Sequence, residues 1–90
     1  MAVTAAIRHH VKDYDAWREV YDGFADVQKA NGVTEESVHR AKDDGNDLLV
    51  IHRFASVDDA QAFFALAELR EAMQRGGVED EPQIQIYEDA

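Results

Sequence analysis

The sequence predicts an α+β fold in which helices cover one face of a four-stranded antiparallel sheet. Three observations carry this expectation. Extended and helical patterns alternate in the order strand, helix, strand, strand, helix, strand. A tight-turn signal, Asp44-Gly45-Asn46-Asp47, joins the two middle strands. Leu48-Leu49-Val50-Ile51 is a run of four apolar residues within one strand. Successive strand residues point to opposite faces, so this run makes both faces of that strand apolar.

Val3 to Lys12 reads as the first strand. Val3, Ala5, Ile7, His9 and Val11 fall on one face; Thr4, Ala6, Arg8, His10 and Lys12 fall on the other. Asp13 is placed to cap the next helix, its carboxylate accepting from free backbone N–H groups. Asp15 adds negative charge in the first turn, where the helix dipole favours it. Tyr14 to Ala30 is helical by period, with Trp17, Val20, Tyr21, Phe24 and Val27 recurring at threes and fours. Gly23 inside this stretch costs about 1 kcal/mol relative to alanine, which a close neighbour would justify. Asn31-Gly32 stops the helix, Gly32 being suited to the left-handed position that ends many helices.

Thr34 to Asp43 reads as a weak strand whose only large apolar residue is Val38. Its charges suit a sheet edge. The hairpin turn is expected at Asp44-Gly45 or Gly45-Asn46, and Leu48 to Phe54 is the doubly apolar strand. Ser56 caps the following helix, with Asp59 three residues on. Ala60, Phe63, Phe64 and Ala67 form one apolar stripe; Leu66, Leu69 and Met73 form another. At about 100° per residue the two stripes are offset by roughly 140°. One straight helix cannot bury both, so a break is expected near Leu66 to Glu68, then a short helix ending at Gly76-Gly77. Pro82 restarts an extended segment, and Gln83 to Glu88 is the last strand.

This order is the ferredoxin-like βαββαβ arrangement, read as a single domain over residues 1–90. Its helices leave one sheet face bare. Two such sheets laid face to face form a dimeric α+β barrel with an interior cavity, and Leu48 to Ile51 is what that assembly needs. A homodimer is therefore expected, and a domain this small gains from one.

The chain carries 9 basic and 19 acidic residues, a formal charge of −10. Phosphate backbones require clustered Lys and Arg, so neither nucleic acid nor an anionic membrane surface is expected as a partner. The acidity fits solubility, with Glu79-Asp80-Glu81 and Glu88-Asp89 in exposed places. Cysteine is absent, which removes disulfides, thiolate catalysis and zinc–cysteine sites. No run of 18 apolar residues and no basic-then-apolar leader is present, and a cytoplasmic protein is expected. No phosphate-cradling glycine loop or nucleophile-elbow serine appears.

Four histidines, His9, His10, His39 and His52, are the residues that could carry chemistry. Either expected hairpin register places His39 and His52 on the same sheet face unless a bulge intervenes. Such a pair could be an acid–base pair, part of a metal site, or simply two polar strand residues. Metal ligation usually wants a third ligand, often a carboxylate, and none is clearly placed with them. The adjacent pairs His9/His10, His39/Arg40 and His52/Arg53 each send one member to the bare face. A cavity there would receive imidazole or guanidinium from three strands, which favours an anion, acidic phenol or enol. Arginine would stabilise the oxyanion. Tyr87 is either a further contact or a half-buried tyrosine at a strand end. Trp17, Phe24, Phe63 and Phe64 are read as core.

Arg8 to Trp17 resembles the opening strand–helix junction of small proteins in the dimeric α+β barrel superfamily, grouped with antibiotic-biosynthesis monooxygenases and polyketide cyclases. Asp43 to Asp47 resembles that group's hairpin, with Gly45 where proline is common. Leu69 to Val78 resembles its short helix after the break, although Leu66-Ala67-Glu68 replaces the usual small-residue–proline step. The haem-degrading members' Asn, Trp and His set finds no match. The resemblance implies chemistry without a cofactor on a small aromatic or polyketide-like substrate, with the substrate's own anion supplying electrons to O2. With that chemistry His9 and His52 are the candidates for proton handling and Arg40 or Arg53 for the anion, while His10, His39 and Tyr87 remain the further candidate ligand contacts read from the strands. The resemblance equally admits a noncatalytic ligand-binding or accessory protein.

Overall fold

The computed structural model describes residues 2–90. Its elements run β1 (Val3–His10), α1 (Tyr14–Gly23), α2 (Ala25–Ala30), β2 (Glu35–Ala41), β3 (Asp44–Phe54), α3 (Val57–Phe64), α4 (Ala67–Arg75) and β4 (Gln83–Glu88). The four strands form one antiparallel sheet in the order β2-β3-β1-β4, the ferredoxin-like arrangement. The weak strand β2 lies at an edge, where its charges face no further partner. The doubly apolar strand β3 lies inside.

The helices bury one sheet face. Val3, Ala5 and Ile7 of β1 and Leu48, Val50 and Phe54 of β3 meet Trp17, Phe24, Ala60 and Phe63, all buried. Leu49 and Ile51 point to the other face and are only half-buried. Asp13 caps α1 by accepting from the Ala16 amide at 3.0 Å, and Ser56 caps α3 by accepting from the Asp59 amide at 3.2 Å. Each cap contributes about 1 kcal/mol. Gly32 adopts φ 97°, the left-handed turn expected after the first helical region.

Several boundaries differ from the sequence expectation. β1 ends at His10, and Val11 instead makes an isolated bridge to Val78. The first helical region is two helices, with Phe24 at the junction, where its amide bonds back to Tyr21 at 3.0 Å. Gly23 stands at the end of α1 with no neighbour near where a Cβ would sit, so the junction rather than close packing is its setting. β2 is shorter than expected and ends at Ala41. The later break falls at Ala65-Leu66, one step earlier than expected, and α4 ends at Arg75 with Gly76 as its C-cap. It lets Phe63 and Leu69 both face inward.

The hairpin is the main correction. Ala41 pairs with Asp44, so its tip is Lys42-Asp43, and β3 begins at Asp44 rather than Leu48. An irregularity then follows, and the regular register pairs Arg40 with Leu48. The cause is Asn46. Its side chain accepts from the Tyr14 amide at 2.9 Å and donates to the Lys12 carbonyl at 3.3 Å, while its carbonyl accepts from the Val11 amide at 2.9 Å. Pinned to the β1–α1 junction, Asn46 is unavailable for a hairpin tip. A Cβ at Gly45 would sit 2.5 Å from the Arg40 guanidinium, so a larger residue there would make that exposed side chain move aside. That guanidinium donates to the Gly45 carbonyl and lies 3.9 Å from the centre of the Tyr14 ring.

Candidate functional site

A cavity of about 50 Å³ lies between the sheet and the helices. Ile7 and Val50 form its floor, Trp17, Val20, Tyr21 and Phe24 one wall, and Phe63, Phe64, Leu69 and Met73 the other. His9 and His52 enter it from β1 and β3. The cavity therefore sits on the helix-covered face, not the bare face where a ligand site was expected. The physical reason is parity. His9 alternates with Ile7 and Ala5, and His52 with Val50 and Phe54, all turned toward the helices.

The two histidines sit at opposite ends of the cavity. His52 pairs across the sheet with Ala5, four residues from His9, or about 13 Å along the strand. Rings of α1 bridge them. His9 meets Trp17 edge-on at 5.8 Å, Trp17 stacks on Tyr21 at 4.8 Å, and Tyr21 lies 6.2 Å from His52. Trp17 and Tyr21 are four apart on one helix, which puts them side by side on a single face. His52 is also held by Phe54 at 6.3 Å and Phe63 at 5.6 Å, both edge-on.

Polar satisfaction at the two ends is unequal. His52 Nε2 lies 3.1 Å from the Tyr21 hydroxyl, and that hydroxyl donates to Glu36 Oε1 at 2.5 Å. An ionised carboxylate only accepts, so the single Tyr21 proton is committed to Glu36. His52 must then donate through Nε2, which leaves Nδ1 as a bare acceptor. Nδ1 is buried without a partner, as are both ring nitrogens of His9. Burial lowers the pKa of His52 to about 4, against an opposing pull from Glu36, and lowers that of His9. Both are neutral at pH 7. Burial, followed by the Glu36 contact, raises the pKa of Tyr21. Unpartnered buried nitrogens cost stability, and a polar ligand would satisfy them.

The other expected site residues do not line this cavity. His39 pairs with Leu49, not with or beside His52, so the two lie on opposite sheet faces; the hairpin irregularity shifts the register by an odd step. His39 is exposed, and its Nε2 lies 2.9 Å from the Ser37 hydroxyl. Arg40 is exposed and tied to Gly45 and Tyr14. Arg53 lies on the bare face, bonded to Thr4 Oγ1 at 2.6 Å and to Asp89 at 2.8 Å. Tyr87 is 56% exposed, opposite Thr4 on the bare face. His10 bonds Glu79 through Nδ1 at 2.6 Å and Asp44 through Nε2 at 2.8 Å. Two carboxylate acceptors favour a ring that donates through both nitrogens, and Asp44 and Glu79 raise its pKa.

Sequence reasoning missed Tyr21 and Glu36 as site residues. The four-residue spacing of Trp17 and Tyr21 was a usable signal for one. Glu36 had none, because its place opposite His52 depends on the hairpin register. Among the described residues, no group of three or more His, Cys, Asp or Glu is placed to hold a metal ion, and no helix is long and apolar enough to cross a membrane.

No protein-family model matches the sequence, and comparison with curated proteins returns no match. Solved structures do match in shape. A Bordetella bronchiseptica protein provisionally named an antibiotic biosynthesis monooxygenase has a TM-score of 0.83 at 13% identity, covering 99% of this chain and 97% of that one. SnoaB of Streptomyces nogalater, described as a cofactor-independent oxygenase, has a TM-score of 0.81 at 14% identity, covering 99% and 93%. A Caulobacter crescentus protein, also provisionally named an antibiotic biosynthesis monooxygenase, has a TM-score of 0.80 at 17% identity, covering 99% and 90%. The chain shares the fold of these antibiotic biosynthesis monooxygenase-like proteins.

Proposed function

We propose that this chain is a monooxygenase or cyclase-like enzyme that works without a cofactor on a small aromatic or polyketide-like substrate bound between α1 and the sheet. The observation that carries this reading is His52, a neutral imidazole that lines an aromatic-walled cavity and has a buried nitrogen without a partner. His52 Nδ1 takes a proton from an acidic C–H or O–H of the substrate. The substrate anion then reduces O2. One oxygen atom enters the product and the other leaves as water, so a CH2 group becomes C=O and the substrate supplies all the electrons. His9, at the far end, holds a second polar group. The rings of Trp17 and Tyr21 flank a flat skeleton, and the apolar walls exclude water.

A ligand of several rings needs more than about 50 Å³. Phe64, Leu69 and Met73 also line an outer groove of about 340 Å³ beside β4. Displacing these three side chains joins the two spaces, which is how a larger ligand is accommodated. The direct test uses anthrone, a tricyclic ketone with an acidic CH2. Oxygen uptake with formation of the quinone, above the rate without protein, is expected; no acceleration overturns the enzyme reading. The small volume of the cavity favours a second reading, a noncatalytic ligand-binding or accessory protein. Binding of anthrone without oxygen uptake would select it.

The active unit is proposed to be a cytoplasmic homodimer. Leu49, Ile51 and Ala6 form an apolar centre on the sheet face opposite the helices. A second copy laid on that face would cover it and close the barrel. Sedimentation at micromolar concentration is expected to give a dimer, and a monomer there would overturn this assembly.

A further inference from the structure

Glu36 lies outside the cavity, exposed on edge strand β2, yet it pairs directly with His52 across the sheet. The Tyr21 hydroxyl stands between them, 2.5 Å from Glu36 Oε1 and 3.1 Å from His52 Nε2. These contacts join a buried nitrogen of a cavity-lining histidine to a solvent-facing carboxylate through one phenol. Tyr21 is otherwise flanked by Trp17, stacked at 4.8 Å, and by the Arg18 guanidinium, 5.3 Å from the ring centre. Glu36 and His52 are the close contacts of its hydroxyl, and the buried Gln28 side chain stands beside it as a further hydrogen-bond partner.

We propose that Tyr21 and Glu36 form a relay that selects the tautomer of His52 and exchanges its proton with solvent. The inference rests on the reading of the cavity as a ligand site, and makes Glu36 a positioning residue that never touches the ligand. The steps balance. A proton leaves the substrate for His52 Nδ1, and its bonding electrons stay on the substrate. The Nε2–H bond then breaks and its proton passes to the Tyr21 oxygen. As it arrives, the original Tyr21 proton passes to Glu36 Oε1 and on to water. His52 returns to neutral beside the substrate anion, with the proton now on Nδ1. The same path in reverse returns a proton to Nε2, freeing the one on Nδ1 for the water formed from O2. Without Glu36, Tyr21 is free to donate to His52 Nε2 instead, which forces the ring proton onto Nδ1 and removes the bare acceptor from the cavity.

The test reads the tautomer in unliganded protein, from long-range proton–nitrogen spectra of nitrogen-15-labelled histidine at pH 7.5. The wild-type chain is expected to carry His52 as the Nε2–H form. Glu36→Ala is expected to reverse it to predominantly Nδ1–H. Glu36→Gln, whose amide oxygen still accepts from Tyr21, is expected to keep the wild-type form. Glu36 is exposed, so both variants should fold, and the amide spectrum recorded alongside checks this. An Nδ1–H ring in the wild type, or an unchanged Nε2–H ring in Glu36→Ala, would overturn the relay. Because no ligand is used, either result leaves the anthrone experiment independent of it.

Discussion

His52→Gln is expected to slow anthrone oxidation by about 10²- to 10⁴-fold, the usual contribution of a positioned general base. Glutamine is close to histidine in size and can still bond the Tyr21 hydroxyl, but it cannot take up a proton at neutral pH. The loss should therefore fall on turnover more than on binding. A variant as fast as the wild type would show that the cavity imidazole takes no part. A pKa of about 4 is low for a base in the empty site. It is low because burial strips the imidazolium of water, and the nearby Glu36 charge offsets this only in part. In the proposed reaction, proton transfer would place the substrate anion beside the ring as a further counter-charge.

The same substitution has a stability signature. The folded-state pKa of His52 is depressed below the ordinary 6.5, so between about pH 6.5 and pH 4 the unfolded chain binds a proton that the folded chain does not. Stability is fully present above pH 6.5 and is lost as pH falls through that window. His52→Gln should flatten this acid limb, with the part due to His9 remaining. His10 acts in the opposite sense. Its raised pKa stabilises the fold below pH 6.5, and that contribution fades as pH rises through its folded value.

Phe63→Ala is expected to cost about 3–5 kcal/mol, the range for deleting a fully buried aromatic ring. Phe63 is 1% exposed, and its ring meets Phe64 at 5.4 Å, Phe54 and His52 at 5.6 Å and Phe24 at 6.4 Å. It links α3, β3 and the α1–α2 junction, so no single neighbour can move in to fill the gap. Small domains have only about 5–15 kcal/mol of total stability. The variant should therefore lie near the limit of folding, and its urea midpoint should fall with little change in slope. A cost below about 1 kcal/mol would mean the site collapses readily or the ring is not packed as described. The prediction also bears on the cavity, because Phe63 borders it. A flat aromatic ligand that fills the enlarged space should recover part of the lost stability.

What the sequence determined by itself was the order of elements, the sheet, its buried face and its caps. Alternation along Val3 to Val11, the helical period from Trp17 to Val27, Asp13, Ser56, and the offset stripes around Leu66 are local patterns, and local physics enforces them. Strand parity ties His9 to Ile7 and His52 to Val50, which is why both rings turn toward the helices. What only the tertiary structure decided was which face holds the cavity and who shares it. Asp44-Gly45-Asn46 carried every local mark of a hairpin tip, but Asn46 is claimed by the backbone at the β1–α1 junction, thirty-two residues from Tyr14 in sequence. The tip moved to Lys42-Asp43, the register moved by an odd step, His39 turned to the bare face, and Glu36 came opposite His52. A strand's side-chain period is two, so one long-range hydrogen-bonded anchor was enough to exchange every residue of β2 between faces.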